Sequence, residues 1–128
     1  MEKRVIGLGG VFFKSEDNEA LRNWYKTHLG IESEPWGGIF EWRRKENPDD
    51  ITYTSWSPFK KDSTYFEPSK KDFMLNYQVE NLDELLRLLQ EEGVQIVDRA
   101  EDTEYGKFGW ILDPEGNKIE LWEPPKNI

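Results

Sequence analysis

Apolar and polar positions follow strand spacing in some segments and helical spacing in others. The same order of strand-like and helix-like segments occurs twice along the chain. A β-rich run over residues 5–14 precedes a segment with apolar residues at helical spacing, and residues 73–79 precede a second such segment. Each half closes with a short alternating run that ends in Trp-x-Pro, residues 53–58 and residues 119–124. This repetition predicts two copies of one small unit.

Both predicted helices are bounded by capping residues. Residues 15–18 supply N-cap chemistry for the first helix, and Gly30 follows its last apolar position. Asn81, with Glu84 three residues later, has capping-box spacing before the second helix, which Gly93 ends. The apolar stripes consist of Ala20, Leu21, Trp24, Tyr25, His28 and Leu29 in the first helix and Leu82, Leu85, Leu86, Leu88 and Leu89 in the second. We therefore predict one amphipathic helix in each unit.

Turn sequences place the remaining strands. The Gly-Gly pair at residues 37–38 precedes a strand predicted over residues 39–43. Residues 113–117, Asp-Pro-Glu-Gly-Asn, form a strong turn signal. This turn predicts a hairpin between residues 108–112 and residues 118–122.

Residues 58–71 connect the two units and are rich in Lys, Asp, Ser, Pro and aromatic residues. Such polarity predicts a crossover on the surface. The aromatic residues Phe59, Tyr65 and Phe66 favour a segment that lies against the body as a partial lid. The alternative is a plain linker packed by its own aromatic side chains.

Length and composition indicate one domain over residues 1–128, with a first module at 1–57 and a second at 72–128, because 128 residues cannot bury two independent cores. The absence of cysteine excludes disulfides and thiolate metal sites. Residues 1–4 lead into a strand too short for a signal peptide or a membrane span, so we expect a cytoplasmic protein with no membrane partner. The net charge of −9, with dispersed Lys and Arg, disfavours nucleic acid and weakly favours cationic ligands.

Three motifs spread over essentially the whole chain resemble one known family. They are Asp17 with Trp24-Tyr25 and Leu29-Gly30; Val79 with Asn81-Leu82-Asp83-Glu84 and Gly93-Val94; and Asp113-Pro114-Glu115-Gly116-Asn117 with Ile119-Glu120-Leu121. The pattern is similar to that of the glyoxalase/bleomycin-resistance/dioxygenase group, the vicinal oxygen chelate superfamily. The resemblance implies an α+β fold in which tandem βαβββ modules form a curled eight-stranded cup, usually in a homodimer.

The resemblance also implies four strand positions at which enzymes of the family hold a divalent metal through His, Gln or Glu. In this chain they carry Gly10, Thr54, Met74 and Glu120. Only Glu120 is a good ligand, because glycine has no side chain and a thioether suits hard or borderline ions poorly. We therefore expect no metal and no other cofactor.

The chain offers two other sources of metal ligands. The sole histidine, His28, lies on the first helical stripe, where packing is more common than chemistry. Glu41, Glu120 and Glu123 offer an all-carboxylate site for Mg²⁺ or Ca²⁺, although a solvated strand face explains them equally well.

Strand alternation around the four positions predicts what lines the cup. The predicted ligand-binding residues are Phe12, Trp56, Met74 and Trp122, with Thr54, Asn76 and Glu120 as polar points. This mixture is typical of a small-molecule site, whereas the alternative is that the aromatic residues fill the cup as core. Six tryptophans favour the pocket, because each indole N–H also needs a partner.

Two functions follow. The first, implied by the bleomycin-resistance branch of the family, is a metal-independent homodimer that binds a small aromatic or cationic molecule. The second is a glyoxalase-like lyase or isomerase in which Glu120 is the general base, acting α to a carbonyl, with an atypical metal site.

Overall fold

The computed structural model, which describes residues 4–126, contains helices and strands in the order that the sequence predicts. The elements are β1 (Val5–Ser15), α1 (Asn18–Leu29), β2 (Gly38–Arg43), β3 (Ile51–Lys60), β4 (Phe73–Val79), α2 (Leu82–Glu91), β5 (Ile96–Thr103), β6 (Gly106–Leu112) and β7 (Lys118–Glu123). The outermost residues of the predicted modules, 1–3 and 127–128, lie outside the described part. Neither of the two described helices is long and apolar enough to cross a membrane.

All seven described strands form one mixed sheet in the order β2-β3-β1-β4-β7-β6-β5. The β1–β3 and β4–β7 pairs are parallel, and the other neighbours are antiparallel. The predicted α+β fold of two tandem modules is confirmed, with seven described strands instead of eight. The second unit has the full βαβββ order, whereas the place of the missing strand in the first holds only a bridge between Glu34 and Gly37. Pro35 lacks a backbone donor and Gly37 has a positive φ of 127°, and both features interrupt strand pairing.

The predicted capping residues begin and end the helices. The Asp17 side chain accepts a hydrogen bond from the Ala20 N–H, and the Asn81 side chain accepts one from the Glu84 N–H. Gly30 ends α1 in the left-handed conformation, with φ of 70°.

The sheet curls into a cup. Tyr53 on β3 and Trp122 on β7 have ring centroids 5.3 Å apart. In a flat sheet these strands, separated by β1 and β4, would lie about 14 Å apart. We call the concave face the cup face and the face covered by the helices the outer face.

The outer face is packed mainly by α2. Its residues Leu82 and Leu85 are buried against Val79 of β4 and Leu121 of β7. No residue of α1 is fully buried, and its Leu29 is 60% exposed. The second module therefore provides most of the helix-to-sheet packing.

The crossover segment, residues 58–71, lies against the cup face. Its first residues continue β3, which ends at Lys60. Phe66 is only 1% exposed and packs in a cluster with Phe12, Met74 and Trp110. The segment therefore covers the cup and is not a free linker.

The two helices allow a matched test of packing. We expect Leu85→Ala to lower the free energy of unfolding by about 2–5 kcal/mol, because it leaves a cavity between α2 and the sheet. Leu29→Ala, the same substitution on the exposed side of α1, should change it by less than about 0.5 kcal/mol. Urea unfolding followed by circular dichroism measures both values. Equal losses in the two variants would contradict the packing described for α1 and α2.

Candidate functional site

One row of paired residues crosses five strands of the sheet. Ser55 pairs with Gly10, Gly10 with Asn76, Asn76 with Glu120 and Glu120 with Trp110. Paired residues on neighbouring strands point to the same face, so this row brings its side chains together in the cup.

The carboxylate of Glu120 accepts the hydrogen bonds of its neighbours in the row. The residue is 2% exposed, and its carboxylate accepts hydrogen bonds from Asn76 Nδ2 at 2.7 Å and from Trp110 Nε1 at 2.8 Å. The hydroxyl of Tyr65 donates a third hydrogen bond to the same carboxylate. A charge that is removed from water needs such donors, and here they come from β4, β6 and the crossover segment.

Tyr65 reaches into the cup from the crossover segment. Although 39% of its surface stays exposed, its hydroxyl points inward to Glu120. The ring stacks on Phe59 at 5.6 Å and meets Trp110 edge-on at 6.3 Å between centroids. Burial, reinforced by the negative charge of Glu120, raises the pKa of Tyr65, so its hydroxyl remains a donor at neutral pH.

A buried ammonium group lies beside this carboxylate site. Lys118 is 4% exposed, and its Nζ donates to Asp98 Oδ2 at 2.7 Å and to the Tyr65 carbonyl at 2.8 Å. The same Nζ lies 5.4 Å from the ring centroid of Tyr65 and 5.6 Å from that of Trp110. Asp98 reaches it from a left-handed backbone conformation, φ 58°, which is unusual for a residue other than glycine. The cup therefore contains one buried charge of each sign.

Glycines in β1 make room for the polar row. A Cβ at Gly9 would lie 2.2 Å from Asn76 Oδ1, and one at Gly10 would lie 2.8 Å from the Phe12 ring. The glycine at the family's first ligand position thus provides space instead of a donor. Asn76 Oδ1 itself is buried and has no hydrogen-bond partner among the described residues.

A groove of about 240 Å³ opens at one end of the cup and is lined in part by Thr52 and Gln78. The buried Gln78 amide accepts from Thr52 Oγ1 at 2.9 Å and donates to the Tyr53 carbonyl at 2.7 Å. The space beside Glu120, in contrast, is filled by the crossover segment.

Of the predicted lining residues, Phe12, Met74, Asn76, Glu120 and Trp122 lie on the cup face. Phe12 and Met74 belong to its apolar cluster, while Asn76 bonds Glu120. The Trp122 ring is stacked at 6.1 Å on that of Phe108, and its Nε1 donates to the Tyr105 carbonyl at 2.8 Å.

The orientation predicted for the other two lining residues, Thr54 and Trp56, requires a correction. The Trp56 ring packs against Phe13 and against Tyr25 of α1, on the outer face. The Thr54 hydroxyl donates to the Leu8 carbonyl at 2.5 Å and does not bond the Glu120 group.

The register of β3 explains this correction. Its parallel pairing with β1 places Ser57 beside Phe12, on the cup face, and Trp56 beside Val11, on the outer face. The side chains of β3 that point into the cup are therefore displaced by one residue from those that were predicted to do so. The sequence repeat relates β3 to β7 but does not fix which face of β3 points inward.

Trp110 was not among the predicted site residues, although the sequence contains a signal for it. The turn at residues 113–117 pairs Leu112 with Lys118. Counting back along the hairpin from that pair places Trp110 opposite Glu120. The predicted turn was thus sufficient to identify this contact.

The residues at the four implied metal positions do not fit a divalent ion. Gly10 offers no donor, and Met74 is buried in the apolar cluster. The Thr54 hydroxyl is bonded to the Leu8 carbonyl and the Trp42 indole, and both oxygens of Glu120 already accept hydrogen bonds. A metal at Glu120 would have to displace these donors.

The alternative ligands do not form a cluster either. His28 lies against the Trp24 ring at 4.8 Å, on α1. Glu123 Oε1 accepts from the Leu82 N–H at the start of α2. Over residues 4–126 no three His, Cys, Asp or Glu side chains are grouped so that they would hold a metal ion. Glu41, Glu120 and Glu123 therefore do not form such a group.

Solved structures share this fold. A glyoxalase/bleomycin resistance protein/dioxygenase superfamily member from Vibrio splendidus aligns with a TM-score of 0.59 at 13% identity, over 91% of this chain and 98% of its own. Methylmalonyl-CoA epimerase from Mycobacterium tuberculosis aligns with a TM-score of 0.61 at 20% identity, over 98% and 92%. A variant of the Streptomyces coelicolor epimerase, in complex with 2-nitronate-propionyl-CoA, aligns with a TM-score of 0.64 at 13% identity, over 94% and 98%. The fold implied by the motifs is thereby confirmed.

No protein-family model and no curated protein sequence matches the chain. The likeness to the solved structures, at these identities, is one of fold.

The donor set of the cup predicts the metal content of the protein. We expect elemental analysis after mild purification to find no stoichiometric divalent ion, because the implied positions lack ligands and Glu120 is occupied by hydrogen-bond donors. Added chelator should leave the thermal midpoint unchanged. About one Zn, Ni, Mn or Fe per chain would contradict this prediction.

Proposed function

We propose that this protein binds a small aromatic or cationic molecule in its cup, with Glu120 as the polar anchor and without a metal. The observation that carries the proposal is the buried carboxylate of Glu120, surrounded by aromatic side chains and held by three donors. A cytoplasmic location is part of the proposal.

The polarity of the cup supports a binding site over a simple core. Asn76, Gln78, Lys118 and Glu120 are all buried on adjacent strands of the cup face. Buried charges contribute less to stability than apolar residues of similar size, and the outer face of the same sheet is packed by leucines. Polar residues kept at such a cost are typical of functional sites.

The walls of the cup suit an aromatic molecule. Trp110, Trp122 and Phe12 are buried on the cup face. Together with Met74 and Asn76, they form an apolar surface with a few polar points, which is the composition of small-molecule sites. A ligand that reaches Glu120 takes space now held by the crossover segment.

The second candidate is a lyase or isomerase in which Glu120 is the general base. Its support is the carboxylate at the centre of the cup together with the shared fold of methylmalonyl-CoA epimerases. It ranks second for two reasons. The hydrogen bonds of Glu120 would have to open before it could accept a proton, and the described residues do not fit the metal that would polarise a carbonyl.

One substitution separates the two candidates. We expect Glu120→Gln to weaken the binding of a ligand, found by screening tryptophan fluorescence, by about 1–3 kcal/mol, because a charged acceptor is lost. Glu115→Gln, in the exposed turn before β7, is the matched control and should leave Kd unchanged. Trp122→Leu should weaken binding through loss of aromatic wall.

The catalytic candidate predicts a different result for the same variant. Glu120→Gln would then bind nearly as well as the wild type but lose turnover by about 10²–10⁴-fold. If neither Glu120→Gln nor Trp122→Leu changes binding or turnover, the cup is a core and the proposed site is refuted.

We also propose a symmetric homodimer. α1 buries no residue completely and exposes Trp24, and Trp36, in the segment that follows α1, is exposed as well. Tryptophan is enriched at protein–protein interfaces relative to the rest of the surface. The sheet also leaves β2 and β5 as open edges.

Light scattering after gel filtration tests the assembly. At micromolar concentration we expect twice the chain mass of 15.2 kDa. A particle with the mass of one chain at this concentration would contradict the dimer.

A further inference from the structure

We propose that the ligand is a neutral aromatic molecule with a hydroxyl or N–H donor on its ring, and that the side chain of Tyr65 occupies its place in the closed protein. This inference rests on the proposed binding function and specifies the chemical class of the ligand.

The surroundings of Tyr65 are those of a bound phenol. The hydroxyl donates to a buried carboxylate, while Phe59 stacks on the ring and Trp110 lies perpendicular to it. Such a set of contacts recognises an aromatic ring and a donor together. A free molecule with the same two features would make the same contacts.

Tyr65 can leave this place without unpacking the segment. Its neighbour Phe66 is 1% exposed and anchors the crossover segment in the apolar cluster, whereas Tyr65 is 39% exposed. The hydrogen bond from Lys118 goes to the Tyr65 backbone carbonyl, so rotation of the side chain leaves this bond intact. A rotation of the Tyr65 side chain therefore opens the place beside Glu120.

The two buried charges select a neutral ligand. A cationic group in the place of the Tyr65 ring would also face the Lys118 ammonium, which lies 5.4 Å from the centre of that ring and is paired with Asp98. An anionic group would face the Glu120 carboxylate directly. An electron-rich ring satisfies both groups, because the ammonium is attracted to its face and the carboxylate accepts from its donor.

A ligand in this place needs a hydrogen-bond donor, because the departure of the Tyr65 hydroxyl removes one of the donors to Glu120. Glu120 Oε2 then keeps only the Trp110 N–H. A ligand without a donor would leave this buried carboxylate short of a hydrogen bond, a loss of about tenfold or more in affinity.

The test uses the side-chain analogue of tyrosine, p-cresol, and two probes of similar shape, 4-methylanisole and 4-methylbenzylammonium. Each is titrated into the wild type, Tyr65→Ala and Tyr65→Phe, and binding is followed by tryptophan fluorescence. The control is Tyr105→Ala. Tyr105 is 66% exposed and bonds Trp122 only through its backbone carbonyl, so this variant should bind like the wild type.

We expect p-cresol to bind Tyr65→Ala at least about tenfold more tightly than the wild type, because the internal competitor is gone. Tyr65→Phe, which keeps the ring but loses the hydrogen bond to Glu120, should lie between the two and serves if Tyr65→Ala does not fold. In each protein, 4-methylanisole and 4-methylbenzylammonium should bind at least about tenfold more weakly than p-cresol.

Two results would overturn the inference and leave the proposed function standing. One is equal or tighter binding of 4-methylanisole or 4-methylbenzylammonium, which would show that the site selects another class. The other is binding of p-cresol that is equally tight in the wild type and both Tyr65 variants, which would show that Tyr65 does not occupy the site. Failure of all three probes to bind any folded variant would overturn both the inference and the proposed function.

Discussion

The buried carboxylate of Glu120 is the constraint on which the arrangement of the cup depends. An uncompensated charge in this position would cost several kcal/mol, so the fold has to deliver donors to it. They arrive from Asn76 on β4, Trp110 on β6 and Tyr65 in the crossover segment. A one-residue slip of β7 against either neighbour would turn Glu120 to the other face and leave these donors without their acceptor. One hydrogen-bonded group thus ties together the register of three strands and the position of the segment that covers them.

The two faces of the sheet have different physical roles. The outer face is held by apolar contacts of α2, such as those of Leu82 and Leu85 with β4 and β7, and such contacts tolerate exchange among residues of similar volume. The cup face depends on directional hydrogen bonds and on the space left by Gly9 for Asn76. The helix packing and the polar row are therefore formed largely by separate sets of side chains. Substitutions that alter the polar row need not weaken the packing of the helices.

The sequence predicted the features that depend on local rules. Capping by Asp17 and Asn81, the hairpin of β6 and β7, and the inward side chains of β4 follow from spacing along single elements. Which side chains of β3 point into the cup could not be predicted in this way. Residues 53–58 have aromatic and hydroxyl side chains at both odd and even positions, and only pairing with β1 decides between the two sets.

The role of Tyr65 depends on a contact that no periodicity encodes. The crossover segment has neither helical nor strand spacing, and its aromatic residues indicated only that it would lie against the body. Burial of Phe66 in the cup fixes the segment, and this packing brings the Tyr65 hydroxyl to Glu120. The contact joins the crossover segment to a strand of the second module, so only the tertiary structure could reveal it.

Net charge says little about the charges inside the cup. The value of −9 weakly favoured a cationic partner, but it arises from groups dispersed over the sequence. Interactions between solvent-exposed charges are largely screened beyond about 10 Å at ordinary ionic strength. Inside the cup the buried charged residues are Glu120 and Lys118, and the Lys118 ammonium is paired with Asp98. Buried charges are screened much less than exposed ones. The electrostatic field beside Glu120 is therefore set by the placement of these few groups and not by the sum over the chain.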